Sequence, residues 1–116
     1  MELNAFLLQL NDKPDSVTFN HTITVIDSLY DFTPTSFRNG ALLNEAGQNN
    51  GSCKLFSFAR LHGLSQQQTL NCFGAYYRDD VLRHPDGSDH QNIRNFIKAG
   101  WAGIEFSGNA LTPKKP

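Results

Sequence analysis

Asn39-Gly40-Ala41-Leu42-Leu43-Asn44-Glu45-Ala46-Gly47-Gln48-Asn49-Asn50-Gly51-Ser52-Cys53 is the stretch from which the rest of the chain can be read. It carries four Asn, one Gln and a single charged residue, Glu45. Asn39-Gly40 is the strongest short-range hairpin signal, because a tight turn between two strands needs a residue at positive φ. Ser52 is a helix N-cap residue by type, and Leu55, Phe58, Ala59 and His62 trace a helical face behind it that stops at Gly63. The segment therefore reads as hairpin, folded loop and helix start, with both kinds of secondary structure inside one short span.

Upstream, Leu3, Phe6, Leu7 and Leu10 repeat at i, i+3, i+4, i+7, one face of a helix ended by Asn11-Asp12-Lys13-Pro14. Asp15 or Ser16 is placed to cap the next element. Phe19, Ile23, Ile26 and Tyr30 are helically spaced, yet Val17 to Val25 also alternates and is β-branched, so both periods fit. Length and the cap favour the helix. Pro34 then forces extended chain, which continues from Ser36 to Leu43.

Downstream, Ser65 and Gln68 have capping-box spacing, opening a helix with Leu70, Phe73, Tyr77 and Val81 on one side and Gly74 inside it for close packing. Pro85-Asp86-Gly87 is a turn. Ser88 and Gln91 repeat the capping-box spacing ahead of Ile93, Phe96 and Ile97, and Gly100 ends that helix. Trp101 to Phe106 reads as a short extended segment. The elements sum to a single α+β domain over residues 1–111, mostly helical, with about five helices and a short β-hairpin or paired strands near 36–43 and 101–106. Residues 112–116 are expected to fray.

Composition narrows the function. Ten Lys and Arg stand against eleven Asp and Glu, a net charge of −1. There is no basic stripe for nucleic acid and no polybasic segment for a membrane surface. No secretory signal peptide and no membrane-spanning run is visible. Two cysteines are too few for a disulfide framework, so the default is a cytoplasmic, reducing home with both thiols free. Nine Phe point to an aromatic core.

Longer motifs carry a resemblance. Tyr30-Asp31-Phe32-Thr33-Pro34, Phe37-Arg38-Asn39-Gly40, Asn44-Glu45-Ala46-Gly47-Gln48-Asn49, Gly51-Ser52-Cys53-Lys54, Cys72-Phe73-Gly74-Ala75-Tyr76-Tyr77-Arg78 and His90-Gln91-Asn92-Ile93-Arg94-Asn95-Phe96, followed by Gly100-Trp101, resemble the HopJ type III effector family across nearly the whole chain. The resemblance implies a bacterial protein. The family is named for a protein secreted by a plant pathogen's type III system, so export without a cleaved signal peptide and a virulence setting come with it. It implies no activity, cofactor or catalytic residue.

Three constellations carry chemistry. Cys53 near a helix start feels the positive end of the dipole, which favours thiolate. With His90 as base, Asn92 or Asp89 to orient it, and Gln48 donating to an oxyanion, this is a cysteine-dependent hydrolase. The alternative is a buried Cys53 that packs the first turn. The second constellation is a polar binding site built from Asn39, Asn44, Gln48, Asn49, Ser52, Asn92 and Arg94. Carboxamides both donate and accept, which suits a small polar ligand or a host or bacterial protein partner. Against it stands a loop whose amides satisfy its own backbone. The third is the segment His84 to Arg94. Its His84, Asp86, Asp89 and His90 have no metal-ligand spacing and read better as a capped turn, so no metal is expected. Arg78, Arg83 and Arg94 would form an anion pocket only if the fold gathers them. Tyr30, Phe32, Tyr76, Tyr77 and Trp101 are candidates to line a cleft or a protein-binding face, with core packing the expectation. A binding domain is the favoured reading, with the hydrolase as its alternative.

Overall fold

Helix α3 (Asn50–Leu61) forms the centre of the molecule. In the computed structural model, which describes residues 2–114, Cys53 and every residue from Leu55 to Ala59 are buried. A helix covered on most of its circumference belongs inside a domain rather than on its surface. Phe56 is ringed by Phe37, Phe73, Phe96 and Trp101 at centroid separations from 4.9 to 6.4 Å. Each fully buried Phe contributes roughly 1.5–3 kcal/mol, so this ring cluster is the main thermodynamic anchor of α3.

Helices α1 (Glu2–Asp12) and α2 (Phe19–Leu29) pack on one side. Phe6 and Leu10 of α1 are buried, as their spacing predicts. In α2 the helical period prevails over the alternating one. Its cap is Thr18, whose hydroxyl accepts from the His21 N–H at 3.1 Å. Asp15 and Ser16 do not cap it; they lie in a one-turn 3-10 helix, Pro14–Ser16. Extended backbone at Thr18 places its oxygen over the helix start, which the preceding 3-10 turn cannot do.

Tyr30 leaves the helix and opens β1 (Tyr30–Phe32), which pairs antiparallel with β5 (Leu111–Pro113). The end of the chain is therefore not frayed from Thr112. Thr112 pairs with Asp31, and the Lys114 N–H donates to the Leu29 carbonyl at 3.0 Å. Residues 115 and 116 lie outside the described residues.

A second sheet has the order β3-β2-β4, with β2 (Phe37–Asn39) between β3 (Leu42–Asn44) and β4 (Ile104–Phe106). Asn39 pairs with Leu42, so the turn is centred on Gly40-Ala41 and Asn39 is a strand residue. Gly40 has φ +62° and Ala41 does not share the positive sign, the pattern of a turn with Gly at its first central position. Trp101 does not join β4. It sits in a 3-10 turn, Gly100–Gly103, because its indole N–H reaches the Leu64 carbonyl at 3.0 Å.

Helix α4 (Gln66–Asn71) has the full capping box expected of Ser65 and Gln68. It does not run on to Val81. Gly74 adopts φ +62°, and a Cβ there would lie 2.9 Å from the Phe19 amide nitrogen. The glycine thus breaks the helix and admits the backbone of residues 17–19. The chain rewinds as a π-helical turn, Tyr76–Val81, and after an irregular stretch enters α5 (Gln91–Ala99). The cap of α5 is His90 at φ 49°, not Ser88; the Gln91 amide donates to the Ser88 carbonyl at 2.7 Å instead. No helix among the described residues is long and apolar enough to cross a membrane.

Candidate functional site

Four asparagines join the hairpin to the starts of α3 and α5. Asn44 and Asn92 exchange amide bonds, with Asn44 Nδ2 donating at 3.0 Å and Asn92 Nδ2 at 2.9 Å. Asn39 Nδ2 donates to the Asn92 carbonyl at 2.7 Å and to its Oδ1 at 3.0 Å. Asn49 Nδ2 donates to Asn44 Oδ1 at 2.7 Å. Asn39, Asn44 and Asn92 are buried. Buried amides are costly unless paired, and here they pair mostly with one another. Asn39 Oδ1 alone in this group is left without a partner among the described residues.

The clasp brings two helix starts to one cleft of about 510 Å³. Asn49, Gly51 and Ser52 of α3 and His90, Gln91, Asn92 and Ile93 of α5 line it. The two caps, Asn49 and His90, are the positive-φ residues other than glycine among those described, at φ 51° and 49°. Ser52 is therefore not the cap of α3 but lies in its first turn. An aromatic run forms the rest of the wall. Phe73 lies 6.1 Å from Phe19, Phe19 5.2 Å from Tyr76, and Tyr76 5.0 Å from His90. Gly51 lets Phe19 come close, since a Cβ there would meet its ring at 2.8 Å.

His90 Nε2 lies 3.0 Å from Asp80 Oδ2 and 3.9 Å from Asp89 Oδ2. Asp80 comes from the π-helical turn, one helical step beyond Tyr76. Arg94 is a clamp rather than a ligand-facing group. Its Nε donates to the Asp89 carbonyl at 2.6 Å, and its terminal nitrogens reach the His84 carbonyl at 2.7 Å and Asp89 Oδ1 at 2.6 Å. The guanidinium bond holds the Asp89 carboxyl below its ordinary range. Arg78 and Arg83 have other duties, on the carbonyls of Pro14 and Val17 and on Asp79. The three arginines do not share an anion pocket.

Cys53 and His90 form no dyad. Cys53 is 1% exposed, and its thiol donates to the Thr35 carbonyl at 3.5 Å. Its N–H already bonds the Asn49 carbonyl at 3.0 Å, so it lies behind the first turn, not at the open helix end. Burial pushes the thiol pKa up, outweighing the thiol's bond to the Thr35 carbonyl. A thiolate needs the opposite surroundings. Gln48 has no oxyanion to serve; its Oε1 accepts the Glu45 N–H at 3.2 Å and closes the loop.

The family model described as HopJ type III effector protein matches residues 3–111. This chain belongs to the HopJ family. A crystal structure described as unknown function protein VPA0580 is 53% identical, with a TM-score of 0.96 over 98% of this chain and 95% of that one. No curated protein matches the chain significantly. Neither likeness supplies a biochemical activity, and the HopJ fold must be read from its own geometry.

Of the residues singled out in the sequence, Asn49, Ser52, His90 and Asn92 line the HopJ cleft. Asn39 and Asn44 stand behind it, while Gln48 and Arg94 support the flanking loops. Asp80, Phe19 and Phe73 were not legible as site residues, and Tyr76, a cleft candidate expected to pack in the core, is 42% exposed on the cleft wall. They lie on segments whose apolar spacing reads as helix core, and the switch from α to π winding that turns Tyr76 and Asp80 toward His90 has no sequence signature.

Proposed function

We propose that this HopJ-family chain is a small binding module whose ligand site is the cleft between the starts of α3 and α5. The observation that carries this reading is the convergence of two helix starts and an aromatic wall on one concavity of ligand size. The first turns of both helices offer main-chain N–H groups at positive dipole ends. Ser52 Oγ makes no hydrogen bond among the described residues and adds a donor and acceptor. Phe19, Phe73 and Tyr76 offer flat apolar surface beside these polar groups. The ligand chemistry that fits is a small molecule with a planar or apolar part and a carboxylate or amide head. The buried amide clasp holds the two helix starts in register, which is preorganisation rather than direct contact.

The hydrolase alternative has no support in this geometry, because the thiol and imidazole have separate partners. Export through a type III system, and a host or bacterial protein as partner, follow from family membership as expectations. A titration of 15N-labelled protein with N-acetylphenylalanine, which carries a ring, an amide and a carboxylate, tests the site. Saturable shifts at Gly51, Ser52 and residues 91–93, weakened by Ser52→Ala and Tyr76→Ala, support it. Saturable shifts on another face, or none at millimolar probe, refute it.

A further inference from the structure

We propose that Asp80, Asp89 and His90 form a divalent-metal site at the rim of the cleft. Each offers one ligand atom, and these atoms lie within 4.8 Å of one another. At metal–ligand distances of about 2.0–2.2 Å, neighbouring donors of a four-coordinate ion lie roughly 3.4 Å apart. Two of the three edges, 3.0 Å from His90 to Asp80 and 3.9 Å to Asp89, bracket that separation. Seating an ion takes shifts of about half an ångström on these two edges, and the Asp80–Asp89 edge, within 4.8 Å, closes by rotation of the half-exposed carboxylates.

The three donors come from two segments of the chain, with Asp89 and His90 adjacent. Asp80 is carried by the π-helical turn, and His90 is fixed as the left-handed cap of α5. Asp89 is pinned through Oδ1 by Arg94 at 2.6 Å, with Oδ2 left on the His90 side. A ligating carboxylate whose second oxygen is held by a hydrogen bond is the usual outer-shell arrangement of metal sites. Arg94 is itself buried and donates to two carbonyls of the same loop, so this support is rigid.

One imidazole and two carboxylates suit Zn²⁺, Mn²⁺ or Fe²⁺, and the absence of thiolate disfavours the softer ions. Three protein ligands leave coordination positions open, and of the three His90 also lines the cleft. The competing arrangement is His90 hydrogen-bonded to Asp80 without an ion. The sequence alone pointed away from metal because Asp80 lies ten residues before His90 and only the fold brings it in. This inference rests on residues outside the amide clasp, and it stands or falls separately from any organic ligand in the cleft.

Untagged full-length protein, stripped with chelator, is titrated with ZnCl₂ by calorimetry, and MnCl₂ broadening of amide signals locates the ion. The expected result is one ion per chain, with broadening centred on residues 76–92. His90→Gln and Asp80→Asn should each weaken binding at least about tenfold, while His84→Gln, outside the triad, leaves it unchanged. Thermal midpoints near wild type show that both variants fold. Saturable binding indifferent to His90→Gln and Asp80→Asn, broadening centred elsewhere, or no saturable binding at millimolar ion would overturn the site.

Discussion

The Asn44–Asn92 pair gives the sharpest test of how the cleft is built. Asn92→Ala removes both halves of the reciprocal exchange and one of the two bonds from Asn39. Asn44 Oδ1 keeps its bond from Asn49, but Asn44 Nδ2 is left buried with nothing to accept from it. An orphaned buried donor costs about 1–3 kcal/mol and the lost favourable bond about 1 kcal/mol more. The expected destabilisation is therefore about 2–4 kcal/mol. Asn44→Ala is symmetrical in kind, since it orphans Asn92 Nδ2 while Asn92 Oδ1 keeps Asn39. The double variant orphans neither amide of the pair. It should be more stable than the sum of the single effects by about 1–3 kcal/mol. Urea unfolding of the four proteins, with matched m-values, reads this cycle directly. In thermal melts each single variant should fall by roughly 10 °C at this chain length. Additivity of the two substitutions within about 0.5 kcal/mol, or single costs below that, would refute a coupled amide clasp.

Further outcomes follow from particular groups. Gly74→Ala must adopt left-handed backbone and push against the Phe19 amide nitrogen at 2.9 Å; the left-handed conformation alone costs about 1–2 kcal/mol, so the unfolding free energy from urea titration should drop by more than that, and an unchanged midpoint would contradict the close approach. Cys53 and Cys72 should resist iodoacetamide in folded protein at neutral pH, because burial raises both thiol pKa values, Cys72 to about 12; Cys53 labelled as fast as a free thiol would contradict its packing. Between the ordinary thiol value of 9.0 and about 12, the unfolded chain loses the Cys72 proton while the folded chain keeps it, so stability should fall with rising pH in that window, and Cys72→Ala should flatten the fall. Burial lowers the His62 pKa below 6.5, so below that pH the unfolded chain binds a proton that the folded chain resists. Stability should therefore decline as pH falls below 6.5, and His62→Gln should reduce the decline in urea titrations; an unchanged slope would refute it.

Much of the architecture was legible because the signals are local. The heptad-like spacing of Leu3 to Leu10, the Ser65–Gln68 capping box and the glycines that follow α3 and α5, Gly63 and Gly100, act within a turn or two of chain, and the fold honours them. The hairpin signal at Asn39-Gly40 was off by one residue, since the turn places its glycine in the first central position. The choice of cap was less legible. Ser88 is a better cap by residue type than His90, and Ser52 is as good as Asn49, yet Asn49 and His90 hold the cap positions, with left-handed backbones beside one cleft. Local capping preference is worth about 1 kcal/mol, and a tertiary network of buried amides outweighs it.

Strand β3 shows the same contest on the sheet. Hydrophobicity alone would bury Leu43 and expose Asn44, and the structure does the reverse, with Leu43 53% exposed and Asn44 1%. Pairing with the buried Phe37 fixes which face Asn44 takes, and its partners on α5 make that face habitable for a carboxamide. The sequence by itself determined the family, most of the helices, the hairpin and the density of amides around residues 39–53, all carried by neighbours in the chain. Only the tertiary structure decided what those amides do. Asn92 lies 48 residues from Asn44, and Asp80 reaches His90 only through a π-helical turn. Contacts of that kind depend on packing, which is settled after the local elements have formed, and they turn an asparagine-rich loop into the clasp behind a cleft.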